Sequence, residues 1–199
     1  YLADLPKQME TRYNDGEYVY FRTDHHWTTY GAYIAYIMLM QEWDMTDEIL
    51  PPESFAGSAY IFDCTHLGQN GRITKELLQT KEEQIRHADF LLLHTGWEKY
   101  WGSPAYFGVF PVLTAEASLF LSELPRLKGV GVDAVSVDLV GLPFLENHRI
   151  LLGSGKLLIE NLKNLSALVG KRVQFAALPL HYVNSDGAPV RAIAWEHEK

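Results

Sequence analysis

Two short stretches carry the residue types that could do chemistry. In "RTDHHWTTYGAY", residues 22–33, Asp24, His25 and His26 stand in a row ahead of a segment with helical character. Such a cluster can ligate a divalent cation, supply the oriented Asp and His of a catalytic triad, or serve structure alone. Adjacent histidines on an extended segment point to opposite faces, so at most one of them joins Asp24 at a single cation. In "NHRILLGSGKLLIEN", residues 147–161, Glu160 follows His148 by twelve positions, and Gly153 and Gly155 return the chain between them. A loop imidazole and a strand-end carboxylate could then face one cation. The plainer alternative is a loop histidine beside a carboxylate that caps neighbouring backbone.

The elements that must position these residues are of α/β type. A helix capped by Thr28 or Thr29 is expected to run to about Trp43, apolar on most of its faces. "DEILPPESF", residues 47–55, brings a double proline and a change of composition, the best boundary in the chain. Beyond it, residues 58–66 and 88–97 read as strands, separated by a helix through "TKELLQTKEEQIR", residues 74–86. A loop rich in glycine and aromatic residues leads to a helix capped by Thr114, and further strands are expected at 129–138, 155–162, 172–180 and 190–196. Trp97, Tyr100, Trp101, Tyr106 and Phe107 in that loop could line a pocket for an aryl group or pack in the core. Asp133 and Asp138 are expected on a polar side or a turn, Cys64 as a small buried residue, and His66, His87, His94 and His181 without chemistry.

Composition narrows the classes. With 199 residues, 47% hydrophobic and 21% charged, the chain can bury a core without a covalent staple. A formal net charge of -8 and the lack of Lys and Arg clusters argue against a nucleic-acid partner. The single cysteine rules out an internal disulfide and a cysteine-based zinc knuckle, and fits a reducing cytoplasm. The apolar stretch at 30–40 is too short to span a bilayer and lacks a basic flank, so no membrane segment is expected.

From about Leu50 onward, "PPESFAGSAYIFDCTHLG", "ADFLLLHTGWEKYWGSPAYFGVFPVL", "GVGVDAVSVD" and "NHRILLGSGKLLIENLKNLSAL" occur in an order that resembles the cyclase family, which includes bacterial kynurenine formamidase. The resemblance implies a metal-dependent hydrolase acting on a small aryl amide such as N-formylkynurenine, in which His148 and Glu160 help to bind divalent zinc or manganese and a metal-activated water attacks the carbonyl. It also implies a homo-oligomer. The family's main ligand motif, a His-x-Gly-Thr-His-x-Asp-x-Pro-x-His run, is not in this chain. In its place stands a segment, "YFRTDHHWTTYGAYIAY", similar to the DHHW proteins, relatives of the SGNH hydrolases. That second resemblance implies an Asp24–His26 dyad, yet the 21 residues before Arg22 hold no serine to serve as nucleophile.

The expected architecture is therefore an α/β, cyclase-type domain over residues 48–199, a mixed sheet with flanking helices, preceded by a DHHW-like helical appendage over residues 1–47. Asp24 and His26 stand beside His148 and Glu160 as candidate metal ligands. The alternatives are an inactive truncated or chimeric homologue, and an SGNH-like esterase or acyltransferase using Asp24 and His26.

Overall fold

The run Phe90–His94 is buried along its whole length, as a strand covered on both faces must be. It lies at the centre of a computed structural model that describes residues 50–141, 144–180 and 187–196. Asp24, His25, His26, His181, the helix expected at 28–43 and the 47/48 boundary lie outside the described residues. From Pro52 onward the described residues belong to one compact unit.

In chain order the strands are β1 (Ala56–Asp63), β2 (Arg72–Ile73), β3 (Phe90–His94), β4 (Val112–Leu113), β5 (Gly129–Val132), β6 (Leu157–Ile159), β7 (Arg172–Pro179) and β8 (Val190–Trp195). The helices are α1 (Lys75–Gln79), α2 (Glu82–Arg86), α3 (Ala115–Ser122) and α4 (Glu146–Gly153). Six strands make one mixed sheet in the order β6-β5-β3-β1-β7-β8. The first four run parallel, β7 pairs antiparallel with β1, and β8 pairs antiparallel with β7. β2 and β4 form a small parallel pair of their own. The mixed sheet with flanking helices is the architecture expected.

Alternation along the strands divides the core between the two faces of the sheet. Tyr60, Phe62, Leu91, Leu93, Val130 and Val132 pack on one side with Leu78, Ile85, Phe120, Leu121 and Leu151 from the four helices. Ala59, Ile61, Phe90, Leu92, Val173 and Phe175 pack on the other with Leu162 and Leu165. Gly129 lets β5 approach its neighbours closely: a Cβ there would meet the Leu157 carbonyl oxygen at 2.9 Å and the Phe90 ring at 3.1 Å. Among the described residues no helix is long and apolar enough to cross a membrane.

Four sequence expectations need correction. The single helix over 74–86 is two short ones, because Thr80 Oγ1 donates to the Leu77 carbonyl at 2.7 Å and the Thr80 and Lys81 amides close tight turns onto Leu77 and Leu78. The strand over 129–138 stops at Val132, where tertiary partners take over Asp133. β2 and β4, two residues each, have no periodic signal to announce them. His148 sits in α4 and not in a loop. The return to β6 is made past the helix end, where Gly155 adopts the left-handed φ of 77° that glycine takes without penalty. The cap at Thr114 agrees with expectation, its Oγ1 accepting from Ala117 N at 3.2 Å.

Asp89, ahead of β3, ties the opposite end of the sheet together. Its carboxylate accepts from Ser58 N at 2.7 Å and Ser58 Oγ at 2.8 Å, with Arg126 Nε 3.4 Å away. Burial disfavours the charge, but the Ser58 hydrogen bonds and the Arg126 charge outweigh it and hold the carboxyl below its usual range. A folded-state pKa below the unfolded value of about 3.9 means that the stabilisation is complete above that pH and fades as pH falls through the folded value. Asp89→Asn is therefore expected to be less stable than the parent at pH 7 and to show a shallower loss of stability below about pH 4, read from urea unfolding at a series of pH values.

Candidate functional site

Because β1, β3, β5 and β6 are parallel, their C-terminal ends form a single edge, and open α/β sheets bind ligands outside that edge. Chemistry-bearing residues gather there. Asp63 and His94 end β1 and β3, Asp133 follows β5, and Glu160 follows β6.

His148 reaches the same region from the first turn of α4. Asp138 caps that helix from upstream: its Oδ1 accepts from Asn147 N, nine residues on, at 3.1 Å, and its Oδ2 from His148 N, ten residues on, at 3.0 Å. The same Oδ2 lies 2.8 Å from His148 Nδ1, which fixes the imidazole with Nδ1 as donor and Nε2 directed elsewhere. Asn147 is buried and anchors the turn, its Nδ2 donating to the Leu113 and Val137 carbonyls at 3.0 Å each and its Oδ1 accepting from Ser118 Oγ at 2.8 Å.

His148 Nε2 lies 3.3 Å from Glu160 Oε1, so the two residues singled out by sequence do come together. The approach falls short of a directed hydrogen bond, and Oε1, though buried, has no hydrogen-bond donor among the described residues. The Glu160 carboxylate first, and then Asp138, raise the His148 pKa above its usual value against the opposing effect of burial.

A second network stands beside the first. Asp133 is wholly buried and accepts from His94 Nδ1 at 3.1 Å, Thr95 N at 2.9 Å, Thr95 Oγ1 at 2.5 Å and Gly96 N at 2.7 Å. It joins the ends of β3 and β5 and turns the chain into the aromatic loop. There Trp97 and Tyr106 are core residues, Trp97 Nε1 donating to the Tyr106 carbonyl at 2.8 Å, whereas Trp101 and Phe107 are 53% and 65% exposed. Tyr106 Oη donates to Asn161 Oδ1 at 2.8 Å. Burial, then the charges of Asp133, Glu160 and Glu98, push its phenol up to about 12, so it stays a donor.

The sequence reading gave no chemistry to Asp133 or Asp138 and missed Asn161. A polar residue breaking an apolar strand, as in "GVGVDAVSVD", was the one signal available. Cys64 is buried as expected, and burial raises its thiol pKa well above the usual value.

The His148–Glu160 pair fits a divalent cation on three observations. Ligands about 2.1 Å from one tetrahedral ion lie roughly 3.4 Å apart, close to the separation found, and a metal-binding histidine characteristically gives its other ring nitrogen to a carboxylate, as His148 does to Asp138. The donorless Glu160 oxygen is the kind of atom a cation satisfies. Among the described residues no group of three or more His, Cys, Asp and Glu side chains is arranged to hold a metal, so the pair alone would not complete a coordination sphere.

Comparison with known proteins gives a consistent context. The Cyclase family model matches residues 9–139, a range that takes in most of the segment set apart as DHHW-like and stops short of His148 and Glu160. An uncharacterized protein of Methanocaldococcus jannaschii is 39% identical over 117 residues, which cover 57% of this chain and 58% of the relative. A kynurenine formamidase of Bacillus mycoides is 33% identical over 139 residues, 70% of this chain and 62% of the enzyme. The chain thus spans about three fifths of the length of these relatives. The solved structure of a potential metal-dependent hydrolase with cyclase activity matches with a TM-score of 0.63 at 27% identity, over 76% of this chain and 71% of that one.

Proposed function

This chain belongs to the cyclase family, and from that premise we propose that it is a metal-dependent hydrolase of an aryl formamide such as N-formylkynurenine. The observation that carries the reading is the approach of His148 Nε2 to a donorless Glu160 oxygen, with Asp138 behind the imidazole. His148 and Glu160 would hold zinc or manganese. The chemistry such a cation supplies when bound is the activation of water as a nucleophile near neutral pH and the polarisation of the scissile carbonyl.

The chain's own residues prepare the place. Asp138 keeps the His148 proton on Nδ1, leaving the Nε2 lone pair for a ligand. Asp133 braces the strand ends beneath the site. Buried Trp97 and Tyr106 exclude water from one wall, while the exposed rings of Trp101 and Phe107 offer an aryl group a face. Similarity to a kynurenine formamidase supports the formamide, and similarity to a potential metal-dependent hydrolase supports the metal. In the proposed reaction water adds to the formyl carbon, the C–N bond breaks, and formate and the aryl amine are released. The remaining ligands would come from outside this pair, a second copy in a homo-oligomer being one source.

The test is an assay of N-formylkynurenine hydrolysis by the full chain loaded with zinc or manganese. Turnover that falls at least about 100-fold in His148→Ala is expected. A protein that holds the metal and leaves the formamide intact would overturn the substrate assignment.

A further inference from the structure

The loop that follows Glu160 takes a costly path. Asn161 and Asn164 both adopt left-handed backbone, with φ of 60° and 63°, a region open mainly to glycine and tolerated by asparagine. Strain of this kind persists only where surrounding contacts impose it.

The contacts come from the aromatic loop. Tyr106 Oη donates to Asn161 Oδ1 at 2.8 Å, and Glu98 Oε2 accepts from Asn164 N at 2.7 Å. Between these two points Lys163 Nζ lies 5.6 Å from the centroid of the Trp101 ring. Asn161 N donates to the Ala134 carbonyl at 2.9 Å, which joins the loop to the turn after β5. Tyr106 is itself held firmly: it is 3% exposed, its carbonyl accepts from Trp97 Nε1, and Trp101 and Phe107 meet its ring edge-on at 5.0 and 5.7 Å. A rigid phenol therefore grips the residue next to Glu160, the one described residue with a buried donorless side-chain oxygen.

We infer that Tyr106 is a positioning residue for the metal site, fixing Glu160 through Asn161 so that Oε1 stays beside His148 Nε2 and free for a cation. The inference rests on the metal reading above. It gives the aromatic loop a second role besides walling the site. Partners one shell behind a ligand typically change metal affinity by about 10- to 100-fold when removed.

Zinc titration by calorimetry on the full chain tests this, with Tyr106→Phe, Asn161→Gly and the double variant. Glycine accepts the left-handed φ without strain, so Asn161→Gly removes the grip and keeps the backbone path. Each single variant is expected to bind zinc about 10-fold more weakly, and the double no more weakly than either alone. Thermal unfolding in chelator, run in parallel, registers any loss that is purely structural. Variants that melt earlier yet bind zinc as the parent does would overturn the inference alone, as would losses that add in the double variant. A parent that binds no zinc would overturn the metal reading and this inference with it.

Discussion

Asp133→Ala is expected to cost the fold about 3 to 5 kcal/mol, a large share of the roughly 5 to 15 kcal/mol that holds a domain together. The reason is the company the carboxylate keeps. With no exposure to solvent it accepts four hydrogen bonds, from His94 Nδ1, Thr95 N, Thr95 Oγ1 and Gly96 N. Alanine would leave those donors buried without an acceptor, and each unsatisfied group carries its own desolvation cost. Asp133→Asn keeps the volume but turns an amide NH2 toward one of the backbone amides, so it too should be less stable than the parent. Urea unfolding measures both. A loss below about 1 kcal/mol for the alanine variant would mean that the β3 and β5 ends are held by something other than this residue.

The second large effect is expected at Asp138. One carboxylate there receives the Asn147 and His148 amides and His148 Nδ1, so it both starts α4 and orients the imidazole. Asp138→Asn is expected to weaken divalent-metal binding by about 10- to 100-fold, since the imidazole loses the partner that selects its tautomer. The helix cap should lose only about 1 kcal/mol. Calorimetric metal titration beside thermal unfolding separates the two effects. Equal metal affinity in parent and variant would show that His148 needs no carboxylate to orient it.

The parts of this molecule that could be read in advance are those decided locally. "ADFLLLHTGW" announces a buried strand because both faces of β3 are covered, and Thr114 announces a helix because its own side chain caps it. His148 and Glu160 were legible through the resemblance to the cyclase family, with a spacing that lets the chain turn back once between them. That His148 lies in a helix was not legible, because Leu145 ahead of α4 offers no side-chain cap and the capping carboxylate comes from Asp138. Asp133 was hidden for the same reason: its partners sit 37 to 39 residues away, at the end of β3 and just beyond it. The break at Thr80 turned on a single hydroxyl that a helical pattern cannot reveal. Tyr106 and Asn161, 55 residues apart, carried no joint signal at all.

The central claim is that His148 and Glu160 share a cation. Elemental analysis tests it most directly, on the full chain loaded with zinc or manganese and freed of excess, beside His148→Ala and Glu160→Gln variants shown by circular dichroism to be folded. Near-stoichiometric metal in the parent and little in either variant is the expected result. A parent that retains none, or variants that retain as much as the parent, would contradict it.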